Sequence, residues 1–291
     1  MKNILILMLI TGPLLAQGLK QSALDHFNNQ QWEAASNDYL KYLKKNDKDS
    51  SAWYNLGFCQ MKLKNHEQSI QYYNEAKKRN FNPFFVDFSI SKSHALNNDT
   101  KAMLNALKLG SENGLLFYST LQSDSAFKNY RENKEFKAIL EKVKLNAYPC
   151  LSSKERRHFD FWLGEWDVYA RGGKVGENSI TMALGGCAIH ENYVTPGNYA
   201  GQSINYYDPI DKKWHQHWVG SGGDVYNYLE TKREEGLLQF ESKFMNAQGV
   251  ISLSRLTFTL NDDGTVRQLF EGSTDDGKTW SPQFDGLYKR K

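Results

Sequence analysis

Two histidines in the second half of the chain have the spacing of a metal chelate. His215 and His217 lie two residues apart in an aromatic stretch, Trp-His-Gln-His-Trp, that runs from Trp214 to Trp218. Alternate side chains of a β-strand share a face, so both histidines would point one way and both tryptophans the other. Such a pair binds zinc, or one imidazole meets a haem iron, when further ligands are near. We favour the alternative, a solvated histidine face with the tryptophans packed inside.

One carboxylate, Glu191, lies where an apolar residue is expected. It shares its strand face with Cys187, Ile189 and Tyr193, which are typical of an inward face. An inward carboxylate needs a partner or a ligand. Two hypotheses are open: Glu191 lines a ligand pocket, or it forms a structural ion pair. The candidate partners are Arg255 and Arg267, and a third metal ligand for the histidines would be Glu191 or His190.

The sequence contains no complete catalytic set of residues. Nucleophile motifs, a phosphate-binding loop and a dinucleotide-binding fingerprint are all missing. The glycine-rich stretch 220–223 lacks the strand–turn–helix context of a serine hydrolase. We therefore predict no catalytic residue and no cofactor. A haem- or metal-dependent activity is kept as an alternative.

The elements that position these residues belong to a chain long enough for two domains. It has 291 residues, of which 40% are hydrophobic and 24% charged. The net charge is +3, and no basic cluster dominates, which argues against nucleic acid as a partner. Many tryptophans and tyrosines follow Phe159, as is typical of β-strands.

The first residues have the pattern of a signal peptide. Lys2 precedes an apolar run from Ile4 to Leu15, and Ala16 precedes a plausible cleavage point. The run of about a dozen residues is too short to cross a bilayer of about 30 Å. We predict a signal peptide at 1–16 and a periplasmic or secreted mature protein without a membrane span. The alternative is an uncleaved anchor, since Leu14 is large for its position before the cut.

Three cysteines are an odd and sparse set for an exported chain. Export would allow a bridge between Cys150 and Cys187, which would tie a linker to the second domain. The favoured alternative is that these two and Cys59 are small buried thiols.

An internal repeat of 34 residues covers the first domain, predicted at 17–145. In the middle copy Trp53, Leu56 and Gly57 fall on one helix, and Tyr73 and Ala76 fall on the next. This pattern resembles the tetratricopeptide repeat, which implies stacked helix pairs with a concave face for a peptide or partner protein. The alternative is a spacer that orients the second domain. The residues in phase are Ala35, Ser69 and Met103, and Tyr39, Tyr73 and Leu107.

Short alternating segments separated by turn residues fill the second domain, predicted at 158–291 after a linker at 146–157. About nine or ten candidate strands follow Gly164, and their short connections make neighbouring strands antiparallel. An up-and-down barrel or a sandwich is expected. The alternation changes phase near Arg255, between Leu253 and Leu256, which predicts a β-bulge.

The residues Gly164-Glu165-Trp166 resemble the opening of the lipocalin (calycin) superfamily. The wider pattern is similar to an uncharacterised bacterial domain family associated with a lipocalin-like barrel, over nearly all of 158–291. The resemblance implies a short helix before the first strand and a basic residue, Arg290 in this chain, packed on Trp166. The further matching segments are 159–163, 185–187, 207–209 and 284–288, with Trp214 and Trp218.

The segment from Ser273 to Trp280 fits the Asp-box pattern, Ser-x-Asp-x-Gly-x-Thr-Trp. In this hairpin device the Asp and Ser side chains bind the turn's backbone, Gly adopts a positive φ and Trp packs beneath. We interpret it as structural, and the alternative is a calcium or glycan role.

The sequence thus predicts an α+β multidomain protein, with an N-terminal all-α tetratricopeptide solenoid and a C-terminal all-β antiparallel lipocalin-like barrel. We expect an exported, non-enzymatic binding protein, with a protein partner on the solenoid and a small apolar or amphipathic ligand in the barrel. The alternative is a scaffold with a filled barrel. The predicted ligand-binding residues are Glu191, Tyr193, Trp214, Trp218 and Arg255.

Overall fold

The computed structural model describes residues 17–245 and 251–291. The predicted signal peptide at 1–16 lies outside the described residues. The chain divides after Ala147 into two compact units. The last helix of the first unit runs to Ala147, two residues beyond the predicted end of that domain. Most of the predicted linker belongs to the second unit, where it forms short 3₁₀ turns at Pro149–Ser152 and Glu155–Arg157.

The first unit consists of helical hairpins. Helix α1 covers 17–28, and seven further α-helices and one 3₁₀ turn follow it in the described part of this unit. The first six helices form three hairpins, and two further helices with a 3₁₀ turn between them follow the repeats. No helix in the described ranges is both long and apolar enough to cross a membrane. The helices are α2 (Trp32–Leu43), α3 (Ser50–Lys62), α4 (His66–Lys78), α5 (Pro83–Leu96), α6 (Thr100–Glu112), α7 (Tyr118–Ser123) and α8 (Lys134–Ala147), with a 3₁₀ turn at Ser125–Tyr130 between α7 and α8.

The turn inside each hairpin repeats with the period of the sequence. Gln30, Lys64 and Asn98 adopt a left-handed conformation, with φ of 58°, 65° and 59°. Their numbers differ by 34 and 34, which is the period predicted from the apolar residues. A left-handed residue reverses the chain after a helix and satisfies its last carbonyl groups. The helical repeat is therefore present in both the packing and the turns.

Packing inside the second hairpin depends on the absence of a side chain at Gly57. A Cβ atom there would lie 2.7 Å from Cδ1 of Tyr73, whose side chain is fully buried. We predict that Gly57→Ala lowers the free energy of unfolding of the helical unit by about 1–3 kcal/mol, because a buried ring would have to move. Urea unfolding followed by far-ultraviolet circular dichroism measures the change.

The matched control for this prediction is Gly18→Ala. Gly18 is also helical, but a Cβ atom there would meet no described residue within 4 Å. Alanine is favoured over glycine in a helix by up to about 1 kcal/mol, so the control should be neutral or stabilising. Equal effects of the two substitutions would contradict the proposed contact between Gly57 and Tyr73.

The second unit is a closed barrel of ten antiparallel strands in which each strand pairs with its neighbours in sequence and the last pairs with the first. Closure excludes the sandwich and leaves no free sheet edge. The strands are β1 (Gly164–Ala170), β2 (Gly173–Ala183), β3 (Ala188–Val194), β4 (Ala200–Asp208), β5 (Lys213–Gly220), β6 (Val225–Glu234), β7 (Leu237–Met245), β8 (Ile251–Leu260), β9 (Val266–Ser273) and β10 (Ser281–Arg290).

One end of the barrel is closed by residues 159–162, the segment before β1, which we call the plug. A 3₁₀ turn at Asp160–Trp162 places Trp162 against Phe159, with ring centroids 4.9 Å apart, and against Phe258 at 4.5 Å. The indole Nε1 of Trp166 donates to the carbonyl oxygen of Trp162 at 2.8 Å. The guanidinium carbon of Arg290 lies 4.4 Å from the centre of the Trp166 ring, as the resemblance implied.

A disulfide bond joins Cys150 to Cys187. The favoured prediction of three buried thiols is therefore wrong for this pair and correct only for Cys59, which is buried and free. The bridge connects the segment before the barrel to the turn between β2 and β3. Sequence spacing alone could not show it, because the fold brings together two cysteines that are 37 residues apart.

Strand β8 has no bulge, so that prediction is wrong. Its register with β7 and β9 is continuous through Arg255. Ser252 and Ser254 continue the inward face of Leu256 and Phe258, while the apolar Ile251 and Leu253 lie on the other face. The apolar pattern changes phase in the sequence because small polar residues, and not apolar ones, occupy the inward positions at one end of the strand.

The Asp-box hairpin has the predicted structural form. The Oδ1 of Asp275 accepts hydrogen bonds from the Ser273 hydroxyl at 2.8 Å and from the Thr279 amide at 2.9 Å. Gly277 has a φ of +84°, and the indole Nε1 of Trp280 donates to its carbonyl oxygen at 3.0 Å. These bonds hold the connection between β9 and β10.

Candidate functional site

The barrel contains a cavity of about 350 Å³. It reaches the turns after β3 and β5, through Tyr199 and Asp224, so it lies toward the end opposite the Trp162 plug. Its lining is mostly aromatic, with a few polar groups, which is the usual composition of a small-molecule site. The lining residues are Glu191, Tyr193, Thr195, Tyr199, Gln216, Trp218, Asp224, Tyr226, Tyr228, Leu256, Gln268, Phe270, Phe284 and Tyr288.

The wall beside Trp218 is shaped by a glycine on the neighbouring strand. Gly201 of β4 lies under the indole ring, and a Cβ atom there would come within 2.1 Å of the ring carbon Cζ2. Any larger residue would push the ring aside. On the adjacent strand β6, Tyr226 is the register partner of Trp218; it stacks on Tyr228 with centroids 5.6 Å apart and meets Phe270 edge-on at 6.1 Å. The aromatic walls are thus packed against one another.

Glu191 forms the polar floor of the cavity. Its side chain is only 2% exposed, and its two oxygens accept hydrogen bonds from Asn178 Nδ2 at 2.7 Å and from the Ser203 hydroxyl at 2.6 Å. Burial raises the pKa of Glu191 to about 7, although both hydrogen bonds act in the opposite direction. The group therefore changes its charge near neutral pH.

Further polar side chains connect to this floor. The Tyr288 hydroxyl donates to Gln268 and accepts a hydrogen bond from Asn178 Nδ2 at 3.3 Å. Gln216 Nε2 donates to the Ser203 hydroxyl at 3.3 Å. Among the described residues, the buried Oδ1 atom of Asn178 has no hydrogen-bond partner. Asn178 is not part of the cavity lining, so this acceptor is not open to the cavity.

These floor residues were missed by the sequence predictions. Asn178, Ser203 and Gln216 are polar and almost fully buried, at 1%, 3% and 1% exposure. Each lies at an inward position of a strand, as Glu191 does. The alternation of inward and outward residues along a strand was therefore the signal available in the sequence.

A second carboxylate, Asp224, lies at the mouth of the cavity. Its Oδ2 atom accepts hydrogen bonds from the Tyr199 hydroxyl at 2.8 Å and from the Trp218 indole at 2.9 Å. These bonds fix the position of the Trp218 ring. Burial raises the pKa of the Tyr199 phenol, and the hydrogen bond to the negatively charged Asp224 raises it further.

Three predicted ligand-binding residues, Glu191, Tyr193 and Trp218, lie together in the cavity lining. Trp214 does not belong to the lining: it points inward but is buried at the closed end, 5.7 Å from the ring of Phe159. Strand alternation gives the face of a residue and not its depth, so the two tryptophans of β5 could not be separated from sequence.

Arg255 also lies outside the cavity, because it is on the outer face of β8. Its guanidinium binds Glu241 at 2.8 Å and lies 3.8 Å from the centre of the Trp280 ring. The predicted ion pair between Glu191 and Arg255 or Arg267 is therefore wrong. Arg267 binds Asp285 at 2.8 Å, also on the outer face.

The two predicted metal-ligand histidines have separate partners on the outer face. His215 Nε2 lies 2.8 Å from Asp211, and His217 Nδ1 lies 2.6 Å from Asn227. Glu191 is inside the barrel, and Ile204 lies between His190 and His217 in the strand register, so neither candidate third ligand meets the pair. Within the described residues, Asp208, Asp211 and His215 could together hold a metal ion.

One family model and several solved structures match this chain. Residues 50–83 match the family model described as tetratricopeptide repeat. The chain is also similar to the type III secretion translocator chaperone SycD of Yersinia enterocolitica, with 17% identity, a TM-score of 0.33, and coverage of 45% of this chain and 92% of that chain.

A second similar structure is PcrH from Pseudomonas aeruginosa, with 16% identity, a TM-score of 0.34, and coverage of 44% of this chain and 91% of that chain. PcrH in complex with the chaperone binding region of PopD gives the same identity and TM-score, with 44% and 89% coverage. These scores are too low to bear on function. No curated protein gives a significant match. The chain therefore carries a tetratricopeptide repeat, in helical repeats that precede a ten-stranded antiparallel barrel.

Proposed function

We propose that the barrel is a lipocalin-like carrier of a small amphipathic molecule, which binds in the cavity above Glu191. The observation that carries the proposal is the cavity itself, about 350 Å³ with aromatic walls and a hydrogen-bonded polar floor. A barrel filled by its own side chains would leave no such space. The contact of Arg290 with Trp166 and the plug before β1 support the lipocalin-like assignment.

The proposal is tested with N-phenylnaphthylamine, a neutral probe that fluoresces in apolar sites. We expect saturable binding to the full chain and a loss of at least about tenfold in affinity for Gly201→Ala, because the new Cβ atom displaces the Trp218 ring. Gly173→Ala is the control, since a Cβ atom there meets nothing within 4 Å. No saturable binding by the wild-type chain would sink the carrier proposal.

We propose that the helical unit binds a protein partner. The tetratricopeptide match at 50–83 supports this, because such repeats present extended surfaces to peptides and proteins. Phe85 offers an aromatic contact: it is 36% exposed and stacks on Phe84 at 4.4 Å.

A photo-crosslinking residue at position 85 should capture a discrete partner in the native host, whereas the same residue at the exposed position 210 should not. Equal products at both positions would argue for a spacer.

We also propose that the mature protein is exported. The bridge between Cys150 and Cys187 supports an oxidising compartment, where disulfides persist. The test is the N-terminal sequence and fractionation of the protein from its host. Gln17 as the first residue of a periplasmic or secreted product is expected, and an intact N-terminus on cytoplasmic protein would contradict export.

A further inference from the structure

The charges on the cavity lining have one sign. Glu191 at the floor and Asp224 at the mouth both line it, and no lysine, arginine or histidine is among the described residues of the lining. Neither carboxylate forms an ion pair within the described parts of the chain. Their partners are neutral: an amide and a hydroxyl at Glu191, and a phenol and an indole at Asp224. The cavity therefore lacks the cation that would balance its charge.

The uncharged part of the lining also suits a cation. Trp218, Tyr193 and Tyr226 present aromatic rings to the space between the two carboxylates, and Phe270 and Phe284 complete the walls. Aromatic faces attract ammonium groups, most strongly where water is excluded. The walls thus add to the attraction that the carboxylates exert.

The hydrogen bonds at Glu191 prepare its ionised form. Both oxygens accept donors at 2.6–2.7 Å, and donors of this kind favour a carboxylate over a carboxylic acid. Burial without a counter-ion works against that form and raises the pKa to about 7. A bound cation would remove this penalty. An anionic ligand would meet two carboxylates and no basic group, and a neutral ligand would leave the charge uncompensated.

We propose that the ligand of the barrel is an organic cation, an ammonium group attached to a small apolar or aromatic body, with Glu191 as its counter-ion and Asp224 at the entrance. This inference rests on the proposed carrier function and names its ligand class.

Binding of such a cation depends on the charge of Glu191. The titratable groups that face it are the hydroxyls of Tyr193, Tyr228 and Tyr288, whose pKa values are all raised, and Asp224 shares the cavity. The tyrosines stay neutral at physiological pH, so Glu191 is the group that changes charge. Affinity for a permanently charged ligand should rise by at least about tenfold from pH 5 to pH 7 and then level off.

The test compares three probes of similar shape by calorimetry on the full chain at about pH 8: phenethylammonium, phenethyl alcohol and phenylpropanoate. We expect the ammonium to bind at least about tenfold more tightly than the alcohol, and the carboxylate more weakly than both. Glu191→Gln should remove the preference for the ammonium, and Asp224→Asn should reduce it. Retained binding of N-phenylnaphthylamine by each variant shows that its cavity is intact.

The outcomes separate the two proposals. Equal affinity for the ammonium and the alcohol, or a preference for the carboxylate, would overturn the cation inference while the carrier function stands. An ammonium preference that survives in both variants would overturn the assigned roles of the two carboxylates. If neither the three probes nor N-phenylnaphthylamine bind to the wild-type chain, the carrier function itself fails.

Discussion

Replacing Glu191 with glutamine is expected to remove most of the pH dependence of barrel stability between about pH 4.5 and 7. The folded pKa is raised from an ordinary 4.5 to about 7 by burial. In this range the unfolded chain releases the proton and the folded chain keeps it, so wild-type stability falls as the pH rises. The loss amounts to about 3 kcal/mol and is complete above the folded pKa.

Urea unfolding of the full chain at pH 5 and pH 8, followed by near-ultraviolet circular dichroism, measures this difference. Glutamine keeps an acceptor for Asn178 and a donor for Ser203, so the variant should be close to wild type at pH 5 and more stable at pH 8. The control is Glu235→Gln, an exposed carboxylate in the turn before β7. A variant whose stability changes with pH as the wild type does would contradict a buried, unpaired Glu191.

Trp162→Ala is expected to destabilise the barrel by about 3–5 kcal/mol, the range observed for truncating buried aromatic residues. The indole is fully buried between Phe159 and Phe258 and closes one end of the barrel. Its loss opens a void that the surrounding rings cannot fill. The free energy of unfolding from urea titration, followed by near-ultraviolet circular dichroism, measures the effect.

The control for the plug is Ile210→Ala, because Ile210 is 90% exposed in the turn between β4 and β5. That substitution should change stability by less than about 0.5 kcal/mol. If the two variants were equally stable, Trp162 would not be the residue that closes the barrel.

The alternation of residues along a strand predicted the inward positions of β3 and β5 correctly, but it failed at β8, where Arg255 was expected in the cavity. It placed Glu191 inward correctly and put the side chains of Trp214 and Trp218 on the inner face of β5. Strand alternation does not show how far along the barrel a residue lies. It therefore could not assign Trp214 to the closed end and Trp218 to the open end. That distinction depends on the short segment before β1, which packs on Trp214 through Phe159.

The hydrogen-bond partners of Glu191 could not be predicted because they lie on other strands. The register between paired strands decides which side chains meet, and the sequence does not show that register. Asn178 and Ser203 reach the carboxylate from strands on either side of β3. The two candidate arginines, Arg255 and Arg267, face outward and bind Glu241 and Asp285. By contrast, the helical repeat was predictable because its 34-residue period is local, and it recurs in the left-handed turns at Gln30, Lys64 and Asn98.

The most direct test of a ligand-carrying barrel is native mass spectrometry of the mature protein purified from its own host, compared with its denatured mass. We expect an excess mass of a small organic molecule in the native state, which is lost on denaturation and reduced in Gly201→Ala. Equal native and denatured masses, in a protein that also fails to take up N-phenylnaphthylamine, would contradict it and favour a scaffold.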